Sequence, residues 1–270
     1  MITVSHNKTP YHPLSYPIKE VVFLTLPVFK DVCLHLLQKY ATHNIDYHFA
    51  YDRTMLHDIL PNLDAGTSLL ISLGTSVIVT KEELSCFAFA YNFHPASPEY
   101  PGSYPYHFAL LEGAAQYGST CHEMDEYIDH GPIVYVNYFD VESDDTSMTL
   151  LQKSLHHLFS MMENLFHMFF VDQSTPLPQG IEWSRRMFTE KKFKALCQLS
   201  SSVTKENFER LYHSLQSNVE QRNLVLHFHG HTFRYEGPVT ADVIDLFAEI
   251  EELDLKETLK NNATFMQAAG

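Results

Sequence analysis

The chain has 270 residues, of which 45% are hydrophobic and 13% aromatic, a composition typical of a globular protein with a sizeable core. Its 18 Lys and Arg against 33 Asp and Glu give a formal net charge of -15. This charge argues against nucleic acid as the main partner, because binding to a phosphate backbone depends on clustered cations. The most apolar long segment is interrupted by Lys, Glu and His residues, so we expect no membrane span.

The four cysteines are far apart in the sequence and form no C-x-x-C pair. They match neither a zinc site nor a small disulfide framework, so we expect a reducing, cytoplasmic setting and no metal. The first residues lack the pattern of a signal peptide.

Short apolar runs alternate with amphipathic stretches through the first half of the chain. The runs predict strands at 21–26, 45–51, 68–74 and 87–91, and the stretches between them predict helices at 29–40, 54–60 and 81–84. Further along we predict a helix at 106–115, strands at 117–124 and 132–139, and a long helix at 148–171. This order predicts an α/β fold with an open, mostly parallel, Rossmann-like sheet flanked by helices.

The C-terminal part of the sequence has a different character. Ser, Pro and Gly at 174–180 predict a linker, so we divide the chain into a catalytic domain at 1–175 and a C-terminal region at 176–270. We expect this region to be a small α+β unit with helices at 189–196 and 204–215, capped by Thr189 and Thr204, and a hairpin at 224–235 about a His-Gly turn. An acidic helix at 240–259 follows, and with the hairpin it could form a homodimer interface. We expect residues 1–18 to be irregular.

Asn92 and His94 are two polar residues at the end of a predicted buried strand. In an open parallel sheet, ligands bind beyond the carboxyl ends of the strands, and side chains two residues apart point to the same face. The pair could therefore belong to a site, or it could merely cap the strand end.

A longer motif resembles the formyltransferase family that uses N10-formyltetrahydrofolate. Its parts are Asn92-x-His94-Pro95, then Gly118-x-Thr120-x-His122-x-Met124 and Ile128-Asp129-x-Gly131-Pro132-Ile133. The resemblance implies that Asn92, His94 and Asp129 are catalytic. We attribute His122 and Met124 to strand packing.

The chemistry is consistent with these residue types. When a substrate amine attacks a formyl carbon, negative charge builds on the formyl oxygen, and preorganised donors such as the Asn92 amide and His94 stabilise it. The attacking nitrogen must then lose a proton, which Asp129 can accept directly or through water. Taken alone, Asp129 would be a turn residue.

The resemblance implies N10-formyltetrahydrofolate as cosubstrate, near the loops at 74–80 and 122–129. We assign to it Thr75, Ser76, Val77, Ile78, Asp125, Ile128 and Gly131, the last allowing close backbone approach to the ligand. For the acceptor we assign Tyr104, Tyr106, His107, Trp183 and Arg185, although the first three could simply pack. Arg185 or Arg186 could serve a diphosphate.

The segment from Glu182 to Thr189, with the helices and hairpin after it, resembles the sugar-nucleotide N-formyltransferases. This implies a dTDP- or GDP-linked dideoxyamino sugar as acceptor, for a polysaccharide such as a bacterial O-antigen. Glycinamide ribonucleotide, another small amine or water could replace the sugar, whereas methionyl-tRNA does not suit the acidic composition. A non-enzymatic alternative is a pseudoenzyme or metal-binding module using His227, His229 and His231, although Gly230 is expected to separate these residues by a turn.

Overall fold

A computed structural model describes residues 11–41, 45–215 and 224–234 of the chain. The predicted helix at 240–259 and the first ten residues of the predicted N-terminal arm lie outside the described residues. The strands are β1 (Tyr11–Pro13), β2 (Glu20–Thr25), β3 (Asp46–Ala50), β4 (Ser68–Leu73), β5 (Phe89–His94), β6 (Gln116–Glu123), β7 (Ile133–Asp140), β8 (Ser174–Pro176), β9 (Gln198–Ser200), β10 (Val225–Phe228) and β11 (His231–Arg234). The helices are α1 (Lys30–Tyr40), α2 (Arg53–Ile59), α3 (Lys81–Leu84), α4 (Pro105–Glu112), α5 (Ser147–Phe170), α6 (Glu190–Leu196) and α7 (Lys205–Ser214).

The central sheet has six strands in the order β3-β2-β4-β5-β6-β7. Strands β2 to β5 pair in parallel, and β6 runs antiparallel to β5. All six residues of β4 are buried, as expected of a continuous apolar run in the middle of a sheet with both faces covered. The predicted fold class is therefore confirmed.

Several helix starts follow from local hydrogen-bonding residues. Thr80 caps α3 in a reciprocal capping box with Glu83. Thr189 and Thr204 accept hydrogen bonds from the first turns of α6 and α7, which confirms both predicted caps.

The chain forms two compact units. Among the described residues, the first comprises those up to His94, Thr120–Val136 and Leu158–Glu182, and the second comprises Pro95–Ser119, Asn137–His157 and those from Trp183 to Arg234. The first contains an apolar cluster around Val22, Leu24, Leu56 and Leu70, and the second a cluster around Tyr100, Phe108, Phe188 and Phe193. The domain division at residue 175 stays a prediction.

The C-terminal hairpin is present as predicted, with β10 and β11 antiparallel to each other. His229 and Gly230 form its turn with φ angles of 48° and 79°, as a tight two-residue turn requires. The hairpin also pairs in parallel with β9, which the sequence analysis did not predict.

Two details of the predicted topology were wrong. Residues 11–13, expected to be irregular, and 174–176, assigned to a linker, form the antiparallel pair β1 and β8. Strand β5 does not end at residue 91 but continues to His94, because Asn92 and His94 pair with β6. No described helix is long and apolar enough to cross a membrane.

Candidate active site

The site is built on three neighbouring strands. Ser72 of β4 pairs in register with Asn92 of β5, which in turn pairs with His122 of β6. His94 lies two residues beyond Asn92 on the same strand, so both side chains point to the same face of the sheet.

Asp129 completes the cluster from the loop between β6 and β7. It is only 7% exposed and has a φ angle of 44°, which is uncommon for a residue with a side chain. One carboxylate oxygen lies 3.5 Å from His94 Nδ1, and the other lies 3.5 Å from Asn92 Nδ2 and 3.6 Å from His122 Nε2. The loop thus brings one buried carboxylate to two imidazoles and an amide.

His122 is part of this cluster, although the sequence alone indicated only strand packing for it. Its Nδ1 lies 2.7 Å from the Glu123 carbonyl oxygen, to which it can only donate. In a neutral ring Nε2 is then an acceptor, and it lies 3.1 Å from Asn92 Nδ2. In the sequence, His122 stands out only as a member of the motif. Its proximity to Asn92 depends on the register of β5 and β6.

Gly131 closes the loop against the end of β6. A Cβ atom at this position would lie 2.0 Å from the Glu123 carbonyl oxygen, so no larger residue fits without a backbone shift. The glycine therefore allows a close approach to the protein's own backbone, and its role in ligand approach stays a prediction.

The remaining residues assigned to the cosubstrate lie on two loops of the first unit. Asp125 accepts hydrogen bonds from the Tyr127 amide at 2.9 Å and from His130 Nδ1 at 2.6 Å. In the other loop, Thr75 Oγ1 accepts from the Val77 amide at 3.0 Å, and Ser76 is exposed.

Ile78 and Ile128 are 52% and 46% exposed, one on each of these loops. Ile128 directly precedes Asp129 in the chain, and small-molecule sites combine apolar side chains with a few polar groups. The residues present thus suit a ligand with an apolar ring system and a polar reacting group, as a formylated folate has.

The loop at 74–80 is held in place by a buried carboxylate. Glu83 is 6% exposed, and its oxygens lie 2.6 Å from the Thr80 amide, 2.5 Å from Arg53 Nη1 and 2.6 Å from His57 Nε2. Arg53 donates its second Nη to the Ile78 carbonyl oxygen. Burial raises the pKa of Glu83, but the hydrogen bonds from Thr80, His57 and Arg53 outweigh it and leave the pKa below the ordinary value.

The residues assigned to the acceptor all belong to the second unit. His107 is only 2% exposed and its Nδ1 donates to the Ser214 carbonyl oxygen at 2.5 Å. Burial lowers its pKa to about 4, so the ring is neutral at pH 7 and packs α4 on α7. The ring is thus buried and already bonded within the second unit, and its assignment to the acceptor stays a prediction.

The other members of this set differ in their surroundings. Tyr104 stacks on Phe193 with ring centroids 4.1 Å apart, whereas Tyr106 and Trp183 are half-buried. Arg186 donates to both oxygens of Glu112 at 2.8 Å, whereas Arg185 is exposed with no ion pair to the described residues. Arg185 is therefore the better placed of the two arginines to meet an anionic ligand.

The described residues contain no group of three or more His, Cys, Asp or Glu side chains arranged to hold a metal ion. His227 and His231 lie on opposite strands of the hairpin, and His229 lies in the turn. His227 Nε2 lies 2.9 Å from Gln198 Oε1. The three histidines thus do not lie together on one strand, as the alternative of a metal-binding hairpin would need.

The central part of the chain is similar to known proteins. Residues 42–162 match the family model described as formyl transferase, which confirms the resemblance predicted from the motif. The phosphoribosylglycinamide formyltransferase of Escherichia coli K12 is 27% identical over 136 residues, or 47% of this chain and 63% of that protein. A methionyl-tRNA formyltransferase of Buchnera aphidicola is 25% identical over 200 residues, or 68% of this chain and 60% of that protein. The chain thus spans less than two thirds of the length of these relatives.

Solved structures share the fold over more of the chain. A sugar N-formyltransferase from a Shewanella species superposes with a TM-score of 0.63 at 17% identity, covering 81% of this chain and 96% of that one. An N-formyltransferase from Helicobacter canadensis, in complex with folinic acid and dTDP-3-aminofucose, has a TM-score of 0.56 at 14% identity and covers 73% and 80% of the two chains. At these identities the likeness establishes the common fold.

Proposed function

We propose, from the premise that residues 42–162 belong to the formyl transferase family, that this protein moves the formyl group of N10-formyltetrahydrofolate to the primary amine of a nucleotide-linked dideoxyamino sugar. One observation supports the formyl transfer: the side chains of Asn92 and His94 both lie 3.5 Å from the buried carboxylate of Asp129. An amide donor, an imidazole and a carboxylate are the groups that acyl transfer to an amine requires.

The folate, when bound, supplies an electrophilic formyl carbon. Asn92 Nδ2, through the hydrogen that faces Asp129 at the longer distance of 3.5 Å, and His94 are the donors we assign to the formyl oxygen, on which negative charge develops during attack. Asp129 receives the proton that the attacking amine loses as the new C–N bond forms, and a proton reaches the folate nitrogen as the old C–N bond breaks. Ile78 and Ile128 are the apolar side chains that we assign to the ring system of the folate, together with the backbone of their loops.

Two observations favour a sugar nucleotide as acceptor. The first is the TM-score, which is 0.63 for the sugar N-formyltransferase of the Shewanella species and 0.58 for a methionyl-tRNA formyltransferase of Clostridium thermocellum, each covering 81% of this chain. The net charge of -15 opposes a tRNA acceptor, although methionyl-tRNA formyltransferases are among the relatives. We assign the exposed Arg185 to the diphosphate and Trp183 to the nucleotide base.

Glycinamide ribonucleotide is the second candidate, because the Escherichia coli relative acts on a small amine linked to a single phosphorylated ribose according to its name. The homodimer through the C-terminal hairpin and the cytoplasmic location stay predictions. Sedimentation at micromolar concentration tests the first, and a monomer would contradict it.

The acceptor is tested with the purified protein, N10-formyltetrahydrofolate and a panel of dTDP-, GDP- and UDP-linked amino sugars, with glycinamide ribonucleotide alongside. Mass spectrometry measures the gain of a single formyl group. We expect a gain on one sugar nucleotide that depends on Asp129. A gain on glycinamide ribonucleotide alone would keep the formyl transfer and refute the sugar acceptor, and folate turnover with no acceptor would indicate a hydrolase.

A further inference from the structure

Ser72 is a buried polar residue next to the proposed catalytic amide. It lies on β4, is 2% exposed, and its Oγ donates to Asn92 Oδ1 at 2.9 Å. We propose that Ser72 is a positioning residue for formyl transfer, which holds and polarises the Asn92 amide. This inference rests on the proposed function, because it requires that Asn92 donates to the substrate.

The orientation of the Asn92 amide follows from the groups around it. The Asp129 carboxylate has no hydrogen to donate, and in the neutral His122 ring, whose Nδ1 donates to the Glu123 carbonyl, Nε2 is an acceptor. The amide atom that faces these two groups, at 3.5 Å and 3.1 Å, must therefore be the NH2 nitrogen. The oxygen then faces β4, where Ser72 is the donor that it meets.

Other hydroxyls in the same sheet have different partners. Thr25 Oγ1 donates to the Leu73 carbonyl oxygen at 2.8 Å, and Ser68 Oγ donates to the Asp64 carbonyl oxygen at 2.8 Å. The Thr25 bond satisfies a backbone carbonyl, and Ser68 Oγ also lies 2.9 Å from Glu20 Oε2, a carboxylate outside the proposed site. The bond from Ser72 instead fixes the side chain of Asn92, which we propose donates to the formyl oxygen. A change at Ser72 should therefore affect catalysis through Asn92.

Two physical effects connect Ser72 to turnover. The bond from Ser72 to Oδ1 holds the amide plane in place, whereas a half-turn of the amide is opposed by Asp129, whose carboxylate would then face the Oδ1 acceptor. A hydrogen bond to the amide oxygen also draws charge from the NH2 group and strengthens it as a donor. Both effects act on an interaction that becomes strong in the transition state, so turnover should change more than substrate binding.

The test compares Ser72→Ala, which removes only the hydroxyl, with Ser68→Ala, a matched change on the same strand. We expect Ser72→Ala to lower kcat by roughly 5- to 30-fold, which is the effect expected when one hydrogen bond is lost. The KM for N10-formyltetrahydrofolate and the affinity for folinic acid should be unchanged. Ser72→Thr should restore kcat, and Ser68→Ala should leave it at the wild-type value. Equal kcat in Ser72→Ala and wild type would overturn the proposal.

A double mutant separates this inference from the proposed function. In an Asn92→Ala background, the further change Ser72→Ala should cost nothing more, because its partner is gone. If Asn92→Ala itself leaves turnover intact, the proposed function fails, whereas an additive loss in the double mutant refutes only the positioning role.

A spectroscopic readout does not depend on activity. The side-chain NH2 resonances of Asn92, identified by their loss in Asn92→Ala, should shift in Ser72→Ala and stay in place in Ser68→Ala. Unshifted resonances in Ser72→Ala would refute the polarisation.

Discussion

Asn92 and His122 face each other across the antiparallel pair of β5 and β6, with Asn92 Nδ2 3.1 Å from His122 Nε2. Because Nδ1 of the same ring donates to the Glu123 carbonyl, the imidazole is held as an acceptor for the amide. His122 and Ser72 thus hold Asn92 from its two neighbouring strands.

The change His122→Phe keeps a ring in this buried position but removes the acceptor for the amide. We expect kcat to fall about tenfold with affinity for folinic acid retained, because the amide loses one of its orienting bonds. Steady-state kinetics checks this, with His167→Ala, a half-exposed histidine of α5, as control. If His122→Phe has the same kcat as the wild type, His122 does not orient Asn92 and contributes only to packing.

Glu83→Gln should loosen the loop at 74–80. The neutral amide weakens the ion pair with Arg53, which also holds the Ile78 carbonyl, so KM for the formyl donor should rise several-fold while kcat changes less. Glu82→Gln is the matched control on an exposed neighbour. A KM equal to that of the wild type would show that the loop is held without this carboxylate.

The same carboxylate predicts a pH effect. Its pKa lies below the ordinary value in the folded chain, so its contribution to stability is complete above the ordinary Glu pKa and is lost as the pH falls through the folded value. Urea midpoints measured from pH 7 to pH 3 should fall less steeply in Glu83→Gln than in the wild type. Parallel curves would contradict this.

The sequence predicted the strands with continuous apolar runs, because residues such as those of β4 are buried on both faces. It ended β5 too early because Asn92 and His94 are polar, although they pair with β6. Strands β1 and β8 were missed because three residues are too few for a periodic pattern, and their pairing joins distant parts of the chain.

The catalytic trio was assigned from a motif, whereas its supporting residues depend on register. Nothing in the order of residues places Ser72 beside Asn92, or Asn92 beside His122, until the strands are paired. The burial of His107 could not be predicted for a related reason, since an imidazole near the start of a helix does not reveal that α7 covers it.

Gly131→Ala should destabilise the fold and reduce turnover together. The added Cβ would meet the Glu123 carbonyl oxygen at 2.0 Å, so the loop carrying Asp129 must move. Gly66→Ala is the control, since its Cβ would meet its nearest neighbour, Asp64 Oδ1, at an ordinary 3.5 Å. Urea midpoints and kcat should both drop in Gly131→Ala alone, and an unchanged kcat would show that Asp129 does not depend on this packing.

His107 makes the second unit sensitive to acid. Its pKa falls from 6.5 to about 4 on folding, so its contribution to stability is complete above pH 6.5 and is lost as the pH falls towards 4. This amounts to about 2 kcal/mol between pH 7 and pH 5. His107→Gln, which does not titrate, should remove that part of the pH dependence, whereas the exposed His35→Gln should not. Equal pH dependence in His107→Gln and wild type would contradict this account.

The most direct measurement of the proposed site compares the wild type with Asp129→Asn in formyl transfer from N10-formyltetrahydrofolate to the best acceptor of the panel. Because the variant keeps the shape of the side chain but cannot accept the proton, turnover should fall by about 10²–10⁴-fold. Affinity for folinic acid should stay the same. Turnover in Asp129→Asn equal to that of the wild type would contradict the assignment of the cluster as the catalytic site.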